Sequence, residues 1–243
     1  MVSRETLKIE AFFDLSGVWF SRFMTSAEQP WDLLKPGLKE KWIEDALAPN
    51  VAIVERAGTL VLKTVELRVP GGSAVVEAGS CLVGNRIELR AGVVVEAGAW
   101  ITGPTILGEG TLVRQGAYIR GGVITGTKAI IGHASEVKSS IFLNDAKAPH
   151  FAYVGDSILG NRVNLGAGTK ISNLKITNTE VRFSVNGEKV STGLRKMGAI
   201  LGDGTETGCN SVLNPGVLLG KNCRVYPAIA VRPLYYPDGT MVR

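Results

Sequence analysis

The chain has 243 residues, of which 45% are apolar and 20% charged, and 27 Lys and Arg against 22 Asp and Glu leave a net charge of +5. That apolar share can fill a long core, so the chain need not be disordered, and the positive balance favours anionic partners. Lys and Arg are scattered singly, without a basic cluster interleaved with aromatics, so a phosphorylated small molecule fits better than nucleic acid. The 3 cysteines are too few for a disulfide scaffold. No leader pattern and no run of about 20 apolar residues occurs, so a membrane is not expected and the cytoplasm is the expected compartment.

Residues 1 to 50 read as two or three short helices. Leu15, Val18, Trp19, Phe20, Phe23 and Met24 form one apolar group, Trp31, Leu33, Leu34, Leu38, Trp42, Ile43 and Leu47 recur near helical spacing, and Pro30 and Pro36 interrupt them. Their aromatic face is expected to cap one end of the following domain, the alternative being a docking surface for a partner domain. From Val51 to Val76 the pattern is irregular, with Val65 and Val69 as early strands.

Regularity begins at Cys81. Val83, Leu89, Val95, Ile101, Leu107, Val113 and Ile119 fall every six residues, with Cys81, Ile87, Val93, Ala99, Thr105, Thr111 and Ala117 two places before. Six residues per side and three sides per turn give an all-β fold, a parallel β-helix of triangular section, each aliphatic pointing inward and each earlier residue filling a corner. Gly84, Gly108 and Gly132 follow inward positions, where a Cβ would resist the backbone angles. Cys81 and Cys223 fall in the corner slot and read as core, while Cys209 lies outside it.

The phase resumes at Ile131, Val137 and Leu143, with Thr125 as a break. It restarts at Leu159, Leu165 and Ile171, and again at Leu201, Thr207, Leu213, Leu219, Val225 and Val231. The two interruptions, around Asn144 to Val154 and Leu174 to Met197, are expected to leave the prism and build a site. In the second, Val181, Phe183 and Val185 alternate before Asn186-Gly187, which predicts a β-hairpin bearing Lys175, Arg182, Lys189, Arg195 and Lys196 and long enough to reach a neighbour. The tail from Pro233 reads as an extended arm. The expected division is therefore a helical cap over 1–50, the β-helix over 51–232 with its hairpin insertion near 174–197, and an arm over 233–243.

Only 2 histidines are present. His150, in Ala-Pro-His-Phe-Ala-Tyr-Val-Gly-Asp at the first interruption, can accept a proton near neutral pH, or can be a loop histidine bonded to backbone. His133 lies inside a hexad and reads as structural. Arg120 and Lys138, one turn apart, are expected to stack along one edge and suit a phosphate, or to be a solvated surface pair. Tyr153, Asn164 and Asn173 supply neutral donors and acceptors nearby.

The string from Lys147 to Asn173, with His-Phe-Ala-Tyr-Val-Gly-Asp, Asn-Leu-Gly-Ala-Gly-Thr and Ile-Ser-Asn, resembles the acetyltransferase domain of the bifunctional N-acetylglucosamine-1-phosphate uridyltransferases. Similarity runs from about Ile101 to Val231, and the insertion ending in Leu-Arg-Lys-Met-Gly resembles the archaeal-type branch of sugar-phosphate nucleotidyltransferases. The resemblance implies a left-handed coil, a homotrimer, acetyl-CoA as acyl donor without a metal, and an amino-sugar phosphate such as glucosamine 1-phosphate as acceptor. It implies His150 as general base, Arg120, Lys138 and Lys196 on the phosphate, and Tyr153 and Asn164 on the ring. Ala167, Asn173, Leu174, Cys209 and Pro227 would lie along acetyl-CoA, with Asn173 able to donate to the thioester oxygen. No glycine-rich nucleotide signature precedes the coil, so nucleotidyl transfer is not expected of this chain. The rival readings are an acyltransferase of the same fold with another acceptor, and a non-catalytic sugar-phosphate-binding or scaffold subunit paired with a separate nucleotidyltransferase.

Overall fold

The computed structural model describes residues 6–48, 60–84 and 86–243. The expected boundary at residue 50 and the start of the irregular tract at Val51 lie outside them. From Cys81 the chain winds as a left-handed, three-walled β-helix of parallel strands. One wall has ten strands, from the antiparallel pair Val65–Val69 and Gly72–Val76 down to Met241–Val242, and is called here the long wall. The eight-stranded open wall runs from Cys81–Val83 to Ala230–Val231, and the eight-stranded covered wall from Ile87–Leu89 to Tyr235–Tyr236.

The hexad aliphatics fill the interior, and Ile101, Leu107, Val113, Ile119, Val137, Leu165, Leu213 and Leu219 are all fully buried. The first turn differs from expectation by one position. Leu82 is the buried residue that pairs with Ile101, and Val83 and Cys81 stand only half-buried beside it. Thr125 is no break either. It is fully buried, its hydroxyl 2.8 Å from that of Thr111 while accepting the Gly108 N–H at 2.8 Å, so a hydrogen-bonded pair replaces an aliphatic.

The first interruption does not leave the coil. Leu112 pairs with Ile130 eighteen positions on, but Ile130 pairs with Lys147 and Ile141 with Ile158 across seventeen. The residue is lost at the edge between open and covered walls, where the inward residue after Val137 is Phe142 and after Val154 is Leu159. Leu143 turns outward into a second apolar cluster. Backbone in the left-handed region turns the corners: Ala134, Phe151, Asn210 and Ala228 at the edge between long and open walls, Ser139 and Asp156 at the shortened edge. Each such residue costs about 1–2 kcal/mol, offset by turn-to-turn backbone hydrogen bonds. Gly84 has this positive φ, whereas Gly108 and Gly132 do not. A Cβ there would collide with the carbonyls of Gly126 and Pro149, so lack of space selects those two glycines.

The N-terminal segment lies along the covered wall instead of across an end. Its helices α1 (Ile9–Phe12), α2 (Ser21–Met24) and α3 (Leu38–Ala46), with a 3-10 turn at Pro30–Leu34, bury an outward row of Ile106, Ile124, Ile141, Ile158, Ile200 and Leu218. Burial of each contributes about 1.5–3 kcal/mol. The Trp19 indole donates to Thr125 O at 2.9 Å while the Arg90 guanidinium sits 3.5 Å over its ring, and Asp203 accepts the Asp14 N–H at 2.7 Å. The predicted hairpin forms from Arg182–Val185 and Glu188–Ser191 about Asn186 and Gly187, both with positive φ. It folds back on its own chain, with Phe183 edge-on to Trp31 at 5.1 Å. The tail is the last turn of the coil, not an arm, since Tyr235–Tyr236 and Met241–Val242 pair with the turn before. Among the described residues no helix is long and apolar enough to cross a membrane.

Trp31 is fully buried where this N-terminal strap, the hairpin and the coil meet. Trp31→Ala is expected to cost about 3–5 kcal/mol by urea denaturation. A loss below about 1 kcal/mol, as for an exposed position, would contradict this packing.

Candidate active site on the open wall

The two edges of the open wall gather different chemistry. At the edge shared with the long wall, the backbone ladder Phe151 N to His133 O, Gly168 N to His150 O, Asn210 N to Ala167 O and Ala228 N to Cys209 O, at 2.8 to 3.0 Å, stacks successive turns. His150, Ala167, Cys209 and, one turn further, Pro227 thus form one column. His150, Cys209 and Pro227 are exposed and Ala167 is half-buried. His150 ends the strand Lys147–His150, on the wall itself, directly paired with His133. The His133 ring stands edge-on to Phe151 at 5.3 Å, its Nδ1 3.0 Å from Gln115 O. Asn164 lies around the corner, on the outward row of the long wall between Lys147 and Glu206.

At the opposite edge, Arg120 and Lys138 occupy adjacent turns, as Arg120 N donates to Val137 O and Asp156 N to Lys138 O. They do not face solvent as an unpartnered pair. Arg120 is held by Glu136 at 2.7 Å, a hydrogen bond that raises its pKa, and Lys138 by Asp156 at 3.2 Å. Asp156 is the hub. Its carboxylate also takes a hydrogen bond from the Asn173 amide, and its backbone carbonyl accepts from Gly198 N at 2.8 Å. The Tyr153 hydroxyl donates to Asn173 Oδ1 at 3.3 Å, which lays its ring across the wall. Burial, then the Glu136 and Asp156 carboxylates, raises the Tyr153 pKa, so the phenol is a neutral donor. Leu174 bridges to Lys196, bringing Lys196 to the same edge.

A cavity of about 540 Å³ opens there, walled by Lys138 and Asp156 of the coil, Arg195 and Lys196 of the hairpin return, and Lys39 and Glu40 of α3. The site residues thus divide between an imidazole edge and a cation edge, separated by the length of a wall strand, at most about 16 Å for the five positions from His133, the pair of His150, to Lys138 at ~3.3 Å each. Asp156, Lys39 and Glu40 were not singled out from sequence. Asp156 closes the string that begins at His150, while nothing in the N-terminal pattern pointed to Lys39. Among the described residues no cluster of His, Cys, Asp and Glu could hold a metal ion.

An imidazole, a phenol and cations thus border one wall of a parallel β-helix. Comparisons with known proteins match part of this coil. A family model described as the GMPPB C-terminal domain matches residues 101–195, which include Arg120, Lys138, His150, Tyr153, Asn164, Ala167, Asn173 and Leu174. A bifunctional sugar-1-phosphate nucleotidylyltransferase/acetyltransferase of Sulfurisphaera tokodaii is 45% identical over 101 residues, 42% of this chain and 25% of that protein. The bifunctional protein GlmU of Methanocaldococcus jannaschii is 41% identical over 93 residues, 38% of this chain and 22% of its own length. That of Thermosynechococcus vestitus is 38% identical over 112 residues, 46% and 21%. The chain thus matches a quarter or less of these relatives, and over that tract it resembles bifunctional proteins, one of which is named for acetyl transfer.

Ultraviolet titration of the native protein against Tyr153→Phe is expected to place the missing phenol above the ordinary tyrosine value of about 10. A difference at or below that value would remove the buried, carboxylate-flanked setting described for it.

Proposed function

We propose that the chain is an acetyl-CoA-dependent N-acetyltransferase acting on an amino-sugar phosphate such as glucosamine 1-phosphate. The observation that carries the reading is the open wall itself. Most of the expected site residues fall within residues 101–195, the tract matched by the family model, and all of these but Asn164, which lies around the corner on the long wall, occupy the two edges of the open wall and the row between them; one similar protein is named an acetyltransferase.

The amine must be unprotonated to attack the thioester carbon. His150, exposed at its edge, takes the proton the nitrogen loses as the C–N bond forms and the C–S bond breaks, and the departing thiolate is then protonated. Asn173 spends one amide hydrogen on Asp156 and keeps a second, which can donate to the developing oxyanion. Lys138 and Lys196 hold the phosphate, Arg120 adds charge beside them, and Tyr153 and Asn164 orient the ring. The acyl donor lies along the column of Ala167, Cys209 and Pro227, with Leu174 at the far edge. Because imidazole and cations sit on opposite edges of one wall, a homotrimer would complete each site by setting the histidine edge of one prism against the cation edge of the next.

His150→Ala should fold normally and lose about 10²–10⁴-fold in kcat for acetyl transfer to glucosamine 1-phosphate. Unchanged turnover takes the imidazole out of the mechanism. Mixing inactive His150→Ala with inactive Lys138→Met subunits should restore part of the activity if sites form between chains.

A further inference from the structure

Lys39 is only 2% exposed, and the chemistry of acetyl transfer does not by itself require it. Burying an ammonium costs several kcal/mol unless it is compensated, and an apolar side chain could fill the same place on α3. Its ammonium is 2.9 Å from Glu40 Oε1, while Glu40 Oε2 accepts the Gly37 N–H at 3.1 Å and the Ser139 hydroxyl approaches Oε1 at 3.4 Å. The charged pair is thus built directly onto the cation edge. Burial lowers the pKa of Lys39, Glu40 and Asp156 raise it, and Lys138 lowers it, so these are the charges that face it.

Four cations, Lys39, Lys138, Arg195 and Lys196, and two carboxylates, Glu40 and Asp156, line the cavity. Its excess of two positive charges matches a phosphate monoester dianion. Without Lys39 the excess is one.

We propose that Lys39 is the buried cation of this anion subsite, so that the N-terminal segment, and not the coil alone, selects a phosphorylated acceptor. The inference rests on the reading that this cavity takes the acceptor's phosphate. Lys39 lies beneath the cavity and acts on the anion through its charge, with Glu40 as the competitor that neutralises it when the cavity holds none. A purely structural ion pair would behave differently, because losing either partner would then only weaken the attachment of α3.

The test is calorimetric titration of the native protein with inorganic phosphate and with glucose 1-phosphate, which lacks the amine and cannot be acetylated. Lys39→Met should weaken both about tenfold or more, the scale of one charge-assisted contact. Glu40→Gln should tighten both several-fold, and that gain should vanish in the double variant. Thermal melting checks folding, and if Lys39→Met does not fold, Glu40→Gln alone decides. No binding by the native protein, unchanged affinity in a folded Lys39→Met, or weaker binding in Glu40→Gln overturns the proposal. Absence of acetyl transfer together with the expected binding pattern would sink the acetyltransferase reading and leave the anion subsite standing.

Discussion

Backbone hydrogen bonds between successive turns hold each residue of the coil over the residue one turn earlier, and that constraint organises everything else. A side chain cannot be moved along the sequence without moving to another column, so chemistry collects in vertical rows. The ladder through Gln115, His133, His150, Ala167 and Cys209 sets the imidazole in line with the short side chains below it. The parallel row on the far edge sets Arg120 over Lys138 and Lys138 over Gly155, with Asp156 next in the chain. The open wall between is stiff, because its inward residues, from Ile101 to Val231, are packed without exposure.

Much of this was legible because inward rows repeat every six residues, and the hairpin because Asn186-Gly187 sits between alternating apolar strands. The covered wall was not. Its outward isoleucines recur only once per turn, at Ile106, Ile124, Ile141 and Ile158, so a search at a period of six reads them as irregular neighbours of the hexads. That row explains why the N-terminal aromatics lie along a side and not over an end. Likewise, a lost residue at an edge looks in sequence like a departure from the coil, whereas a polygon closed by backbone hydrogen bonds absorbs it without releasing the chain.

The shortening is itself informative about the site. Both five-residue sides, Val137 to Phe142 and Val154 to Leu159, turn at the cation edge, and both turns use a left-handed non-glycine residue, Ser139 and Asp156. Asp156 tolerates that conformation better than most residues, and from it the carboxylate meets Lys138 and Asn173 together. Sequence could name the cations but not their partners, since Glu136 and Asp156 reach them only through the turn-to-turn register. The ion pairs keep the cations positioned, and Lys138–Asp156, the less exposed of the two, is the less screened by solvent.

The N-terminal strap fixes which surfaces remain. By covering one wall with aromatic residues it withdraws that wall from any association, and through Glu40 and Ser139 it also anchors on the cation edge. The open wall keeps Trp100 and Tyr118 partly exposed, with Phe151 on the histidine edge, so apolar surface persists on the side where the imidazole and the cations stand. An assembly that buried these aromatics would also enclose the imidazole column and exclude water from it. The same strap therefore frames the cavity at one edge of the open wall while leaving that wall, with its exposed aromatics, uncovered.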